Sequence, residues 1–266
     1  MRLVNDIKKF SRYAWYNAVA ELKAQVAESY LGWLWWILDP LLFMFVYSFV
    51  FVTIRGGQSN IEHFPLFVFI GLTFWNFFAS TVQSSVNVIR SYRAVLMKTY
   101  IPKFILVLML ELVNLIKMMI GLGLSIVIMA FLRIPFTVHM LEVIPILFVY
   151  IILTFGMSLV VAHIGVYIAD FNNIITVVLR LLFYLSGVFF TLDAFEGKVF
   201  FGQDLLSIYN MIIPTGFIIK QFREVLMYGY GANYSRLLYW LIGGIILTVI
   251  GLYLTYKHEN NYMKVL

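Results

Sequence analysis

The sequence predicts an all-α integral membrane protein with six transmembrane helices, and three observations carry that reading. Hydrophobic residues make up 62% of the chain and charged ones 12%, with a mean hydropathy of +0.92, outside the range of a soluble domain. Six apolar runs, at 35–53, 64–86, 104–132, 143–169, 174–192 and 237–256, each approach or exceed the ~20 residues needed to cross a ~30 Å hydrocarbon layer. The cations are also sorted. Arg2, Lys8, Lys9, Arg12 and Lys23 lead the chain and Arg90, Arg93, Lys98 and Lys103 fill the second connection, whereas the first and third connections hold Arg55 and Arg133. Positive charge marks the cytoplasmic side, so both termini are predicted to be cytoplasmic. The fifth connection, 193–236, carries Lys198, Lys220, Arg223 and Arg236 against four acids, and long loops count little in this rule.

The first twenty residues, MRLVNDIKKFSRYAWYNAVA, are too polar for the apolar centre of a cleavable signal. The stretch ELKAQVAESYLGWLWWILDPLLFMFVYSFVF, 21–51, then organises the amino-terminal part. Its polar half predicts an amphipathic helix lying along the membrane surface. Gly32 follows, then Trp33, Trp35 and Trp36 at the level where tryptophan collects, and Asp39-Pro40 turns the chain into the first span. The chain is thus expected to divide into an interface unit, 1–33, and a six-span unit, 34–266. Between the second and third spans, NVIRSYRAVLMKTYIPK, 87–103, reads either as a basic interfacial loop or as a short cytoplasmic helix shaped for a groove on a partner protein, with Tyr92, Val95, Leu96 and Tyr100 as anchors. The segment 205–227 is too apolar for a solvated linker and is split at Ile213-Pro214, which predicts two short helices dipping into the outer leaflet.

Glu111 and Lys117 in the third span and Arg180 in the fifth are charges inside apolar runs, each costing roughly 2.5 to 3.5 kcal/mol unless paired or hydrated. Glu111 and Arg180 fall at similar depth, roughly 10 Å from the cytoplasmic side at helical rise. The expectation is an intramembrane ion pair between them; the alternative is that Arg180 faces a central pathway and grips an anionic lipid headgroup. Lys117 needs a hydrated lumen or a partner, and His163 reads as a structural histidine. The chain has 25 Phe, 17 Tyr and 6 Trp, and FWNFF at 74–78 and FYLSGVFF at 183–190 wrap rings around their helices, so some rings point inward. No nucleotide-binding loop, metalloprotease motif or nucleophile elbow occurs, and cysteine is absent. An enzyme and a bound metal are therefore not expected. The net charge of +6 sits at the ends of apolar runs, which argues for topology and against nucleic-acid binding. Two matched broken spans of an ion-coupled carrier are not seen either.

Several blocks resemble one family. ELKAQVAESYLGWLWWILDPLL, IGLTFWNFFASTVQSSVNVI, Tyr100-Ile101-Pro102-Lys103 and FREVLMYG at 222–229 are similar to the permease subunits of type 2 ABC exporters for cell-surface polymers, which include transporters of O-antigen, group 2 capsule and wall teichoic acid. Ile54-Arg55-Gly56-Gly57 and Arg180-Leu181-Leu182-Phe183-Tyr184 look closer to the teichoic acid branch. The resemblance implies a homodimer in the bacterial cytoplasmic membrane, moving an undecaprenyl-pyrophosphate-linked polymer outward, with ATP and Mg held by two separate cytoplasmic ATPase subunits and no cofactor on this chain. It makes 87–101 the coupling helix, with Tyr92, Arg93, Leu96, Met97, Lys98 and Tyr100 on the ATPase, and makes 205–228 two re-entrant outer gate helices. Lys23 and Arg180 would take the lipid headgroup. Trp75, Phe77, Phe78, Phe183 and Tyr184 would line the polymer channel, and the span after Pro40 would form a lateral gate. The chain departs from the family pattern at Gln25, Ala27, Ala169-Asp170, Ser186-Gly187 and Ile213-Pro214, which bears on the substrate. The rival readings are a type 2 permease for a drug or small lipid and, from another class, a stand-alone channel or ion-coupled carrier.

Overall fold

A computed structural model describes residues 2–27, 29–50, 61–192, 197–200 and 203–265. The motif Ile54-Arg55-Gly56-Gly57 lies outside them, as does the end of the first apolar run. The described chain is a helical bundle: α1 (Arg2–Val26), α2 (Trp35–Ser48), α3 (Phe64–Ser91), the single turn α4 (Arg93–Leu96), α5 (Lys103–Phe131), α6 (Val143–Tyr167), α7 (Phe171–Leu185), α8 (Leu205–Ile212), α9 (Pro214–Arg223) and α10 (Tyr234–Val265). A two-residue antiparallel pair, β1 (Val199–Phe200) with β2 (Gln203–Asp204), is a small exception to the all-α expectation. Four helical segments are long and apolar enough to cross a membrane, at Phe64–Ser91, Lys103–Phe131, Val138–Tyr167 and Tyr234–Tyr262, and two shorter apolar ones lie at Gly32–Ser48 and Phe171–Leu185.

Sequence dictates where these helices stop. Gly32 supplies a φ of +51° between α1 and α2, a conformation that favours glycine. Pro65 sits in the first turn of α3, where its missing N–H is no loss. Pro102 ends the turn after α4 and caps α5. Pro214 starts α9 and breaks it from α8.

The predicted surface helix packs one face on the bundle. Ala14, Ala18 and Leu22 recur every fourth residue on one buried face of α1. Ala14 packs in the cluster holding Phe104 and Ile105, Ala18 and Leu22 pack with Met109 and Val113, and Gln25 Oε1 accepts from Lys117 Nζ at 2.7 Å. The contacts advance together along both helices, so α1 runs alongside the first turns of α5 in the same direction. The two alanines let the axes approach and bury one face of α1. At about 1.5 Å per residue, α3, α5 and α10 each exceed about 40 Å, so the bundle outruns the ~30 Å hydrocarbon layer.

Two interfaces hold the long helices. α6 packs along α10 through Gly156 and Gly244; a Cβ on Gly156 would stand 2.9 Å from the Gly244 carbonyl oxygen, so only small residues allow this approach. At the far end of α10, Tyr256 donates to Asp6 of α1 at 2.8 Å, Tyr100 donates to Glu259 at 3.3 Å, and His163 Nδ1 lies 2.6 Å from the Tyr262 hydroxyl. The starts of α1 and α5 and the ends of α6 and α10 therefore share one end of the bundle. The other end is built around α9, which is buried against α3 and α6.

Candidate functional site

α3 is the wall on which the site is built. Its Phe74, Phe77 and Phe78 face the core with Tyr150 of α6: the Phe78 and Tyr150 rings are 6.4 Å apart, and the Tyr150 hydroxyl donates to the Phe74 carbonyl at 2.8 Å. On the opposite face, Asn76, Ser80 and Ser84 are exposed and Gln83 and Asn87 half-buried, a polar stripe at helical spacing. A cavity of about 520 Å³ lies against this stripe, closed by Asp39, Phe43 and Tyr47 of α2 and by Thr176, Arg180 and Phe183 of α7. Next to it, on the other side of α2, a cavity of about 420 Å³ reaches α5. Asp39, Asn76 and Ser80 line both.

An amide cluster fixes the spacing of α3 and α7. Gln83 Nε2 donates to Asn172 Oδ1 at 2.8 Å, Asn87 Nδ2 donates to the same oxygen at 3.2 Å, and Thr176 Oγ1 donates to Gln83 Oε1 at 3.2 Å. Side-chain amides can satisfy one another where backbone groups are already spent. Above them, Trp75 and Phe183 meet at 5.5 Å and give the larger cavity an aromatic wall.

The sequence-expected aromatic belt is therefore only partly assembled. Trp75 and Phe183 line the α2–α3–α7 cavity, and Phe77 lines the neighbouring one. Phe78 is 1% exposed and turned into the core, a correction with a simple cause: against Tyr150 it buries its whole ring. Tyr184 is exposed beside Phe183 and borders neither cavity.

Arg180 is exposed and lines the larger cavity. Glu111 is 2% exposed, and its carboxyl oxygens have no hydrogen-bond partner among the described residues. It lies beneath a separate apolar recess formed with Ile151, Phe155 and Val249. The expected Glu111–Arg180 ion pair is not formed in the chain. Depth was matched but direction was not, because α7 packs on α3 and α6 while Glu111 faces α6 and α10. Lys23 is exposed on the last turn of α1, and the polar contact to α5 is made by its neighbour Gln25.

The second connection also differs from the helix expected over 87–101. α3 runs on to Ser91 and α4 is one turn. Leu96 is buried and Tyr92 half-buried, its hydroxyl 3.6 Å from Met109 Sδ, so both anchor the connection to its own bundle. Arg93, Val95, Met97, Lys98 and Tyr100 are exposed and form the outward surface.

Sequence reasoning passed over Arg223, in the FREVLMYG stretch. It is 4% exposed. Nε donates to the Phe67 carbonyl at 3.1 Å, Nη1 to Gly187 at 2.7 Å and Nη2 to Val188 at 2.9 Å. Its guanidinium carbon stands 3.4 Å from the Phe67 ring centroid. One side chain thus ties α9, α3 and the turn after α7. An arginine within the apolar run of α9 was the available signal.

An apolar helical bundle with an open, polar and aromatic groove defines a membrane transport subunit in outline. The pattern that characterises the ABC-2 type transporter family matches residues 13–211, so the chain belongs to that family. It is similar to an O-antigen export system permease protein RfbA of Klebsiella pneumoniae, 26% identical over 247 residues covering 92% of each chain. It is also similar to the protein of that name from Myxococcus xanthus, 29% identical over 199 residues that cover 74% of this chain and 75% of that one.

Proposed function

We propose that this chain is the membrane-spanning permease subunit of an ATP-driven exporter that moves an undecaprenyl-pyrophosphate-linked polysaccharide of O-antigen type from the cytoplasmic to the outer face of the bacterial cytoplasmic membrane. The observation that carries this is the polar stripe from Asn76 to Asn87 facing an open cavity that also bears Trp75, Phe183 and Arg180. In a chain this apolar, the exposed polar groups of Asn76, Ser80 and Ser84 need water or a polar cargo at membrane depth. Sugar offers hydroxyls to the amides and a flat C–H face to the rings, and Arg180 suits the pyrophosphate.

In this reading α2, α3, α5, α6, α7 and α10 are six spans with both termini cytoplasmic, and two copies place their α2–α3–α7 grooves face to face. The exposed surface of Arg93, Met97, Lys98 and Tyr100 docks on the cytoplasmic ATPase subunits, which carry the ATP and Mg. α8 and α9 are the re-entrant outer gate, with α9 held by Arg223. The relatives' names favour an O-antigen-type cargo over teichoic acid.

The test is purification of the tagged chain from its own membranes, together with surface display of polymer in a strain lacking it. Equal recovery of an ATPase subunit, lost with Arg93, Met97 and Lys98 all changed to Ala, and polymer trapped inside in the deletion strain, are the expected results. A chain that purifies alone with polymer displayed normally overturns the reading.

A further inference from the structure

The smaller cavity, between α2, α3 and α5, has a composition unlike the rest of the bundle. Asn114 of α5 is 7% exposed, and its amide borders this space. Among the described residues the side chains of Asp39, Asn76, Ser80 and Asn114 make no hydrogen bond to the protein. Four unpartnered polar groups converging on one cavity, one of them more than nine-tenths buried, mark a place where hydrogen bonds are completed by something else.

Charge narrows what that is. Lys117 brings one cation and Asp39 one anion, so the lining is formally balanced. Lys117 Nζ already donates to Gln25 at 2.7 Å and stands 5.7 Å from the Trp36 ring centroid, so it is held at the rim. A phosphate would have to approach the Asp39 carboxylate. An acyl chain would leave four polar groups without hydrogen bonds, the buried Asn114 amide at the greatest cost. A neutral ring rich in hydroxyls meets both conditions: it donates to Asp39, exchanges hydrogen bonds with the amides, and lays its C–H face on an indole.

We propose that this cavity binds one neutral sugar residue, with Asp39, Asn76 and Asn114 reading its hydroxyls and Trp36 flanking the ring. It is an intrachain pocket that shares Asp39, Asn76 and Ser80 with the α7 groove and adds Asn114 and Trp36 of its own, so a sugar held here lies next to the path of the polymer. The polymer-export reading supplies the reason a sugar is at hand; the chemistry of the pocket stands apart from it.

The experiment uses the full chain in nanodiscs of phosphatidylethanolamine and phosphatidylglycerol, with an octyl β-glucoside carrying a diazirine on its alkyl chain. Light should label peptides of α2 and α5 around Asp39 and Asn114. Excess octyl glucoside should compete and octanol should not. Asn114→Leu and, separately, Asn76→Leu should each lower labelling about tenfold, the equivalent of about 1.4 kcal/mol. Asn76 is exposed, so its variant answers the question if the buried change fails to fold. No labelling, equal competition by octanol, or wild-type labelling in Asn76→Leu and in any folded Asn114→Leu overturns the proposal. Polymer display by the wild-type chain in its host separates the two readings: labelling without export sinks export and keeps the pocket, and export without labelling does the reverse.

Discussion

The two halves of α3 are built on opposite rules. From Leu66 to Trp75 every residue is buried, and the helix is packed on all sides by α5, α6, α7 and α9. From Asn76 onward the helix keeps one buried face and gives the other to amides and hydroxyls that line open space. The first half is a strut and the second half is a wall. A rigid post beside an open groove lets exposed groups such as Asn76, Ser80 and Ser84 line it without holding the helices together, because stability is secured one turn away.

That contrast can be broken at its strongest point first. Phe74 stacks on Phe222 with centroids 3.5 Å apart and planes 4° from parallel, so Phe74→Ala should cost about 3–5 kcal/mol, read as loss of thermal stability in detergent. A variant that melts like the parent would show that the strut is not a strut. Arg223→Ala should follow, at about 2–4 kcal/mol, because three carbonyls lose a charged donor, and Arg223→Lys should recover less than half of the loss since an ammonium lacks the planar fork. Ser80→Leu should shift stability by about 0.5 kcal/mol or less, as expected for an exposed position, yet reduce polymer display severely; the measurement is display normalised to chain in the membrane. The smallest effect is sharpest in meaning. In a double-mutant cycle of Glu111→Gln and Arg180→Gln, the coupling energy should stay within about 0.5 kcal/mol of zero. A coupling of several times that would restore the ion pair that the fold does not contain.

Much of the architecture was legible because lipid imposes length and polarity along the chain. Four of the apolar runs appear as long helices, and the break at Pro214 and the turn at Gly32 stand where the sequence placed them. What failed was direction around the helix axis. Glu111 and Arg180 look to different neighbours, and Phe78 and Leu96 turn inward, Leu96 between exposed Val95 and Met97. An apolar helix shows no strong contrast between faces, so rotation is decided by packing that only the assembled bundle defines. The polar stripe was an exception. Asn76, Ser80, Gln83, Ser84 and Asn87 follow helical spacing and were readable, but the surrounding FWNFF drew attention to the rings. The packing of α1 on α5 rests on two alanines, a long-range contact that local amphipathicity does not encode.

The bonds that gather at the end of α10 also carry a consequence for how the protein is made. Asp6 meets Tyr256, Tyr100 meets Glu259 and His163 meets Tyr262. Each joins an earlier segment to α10. During translation α1, the α4 turn and α6 therefore wait, without these contacts, until α10 has been inserted. A chain stopped before Tyr234 would have its earlier helices and still lack this clasp, so the insertion of α10 is the step that brings these contacts together.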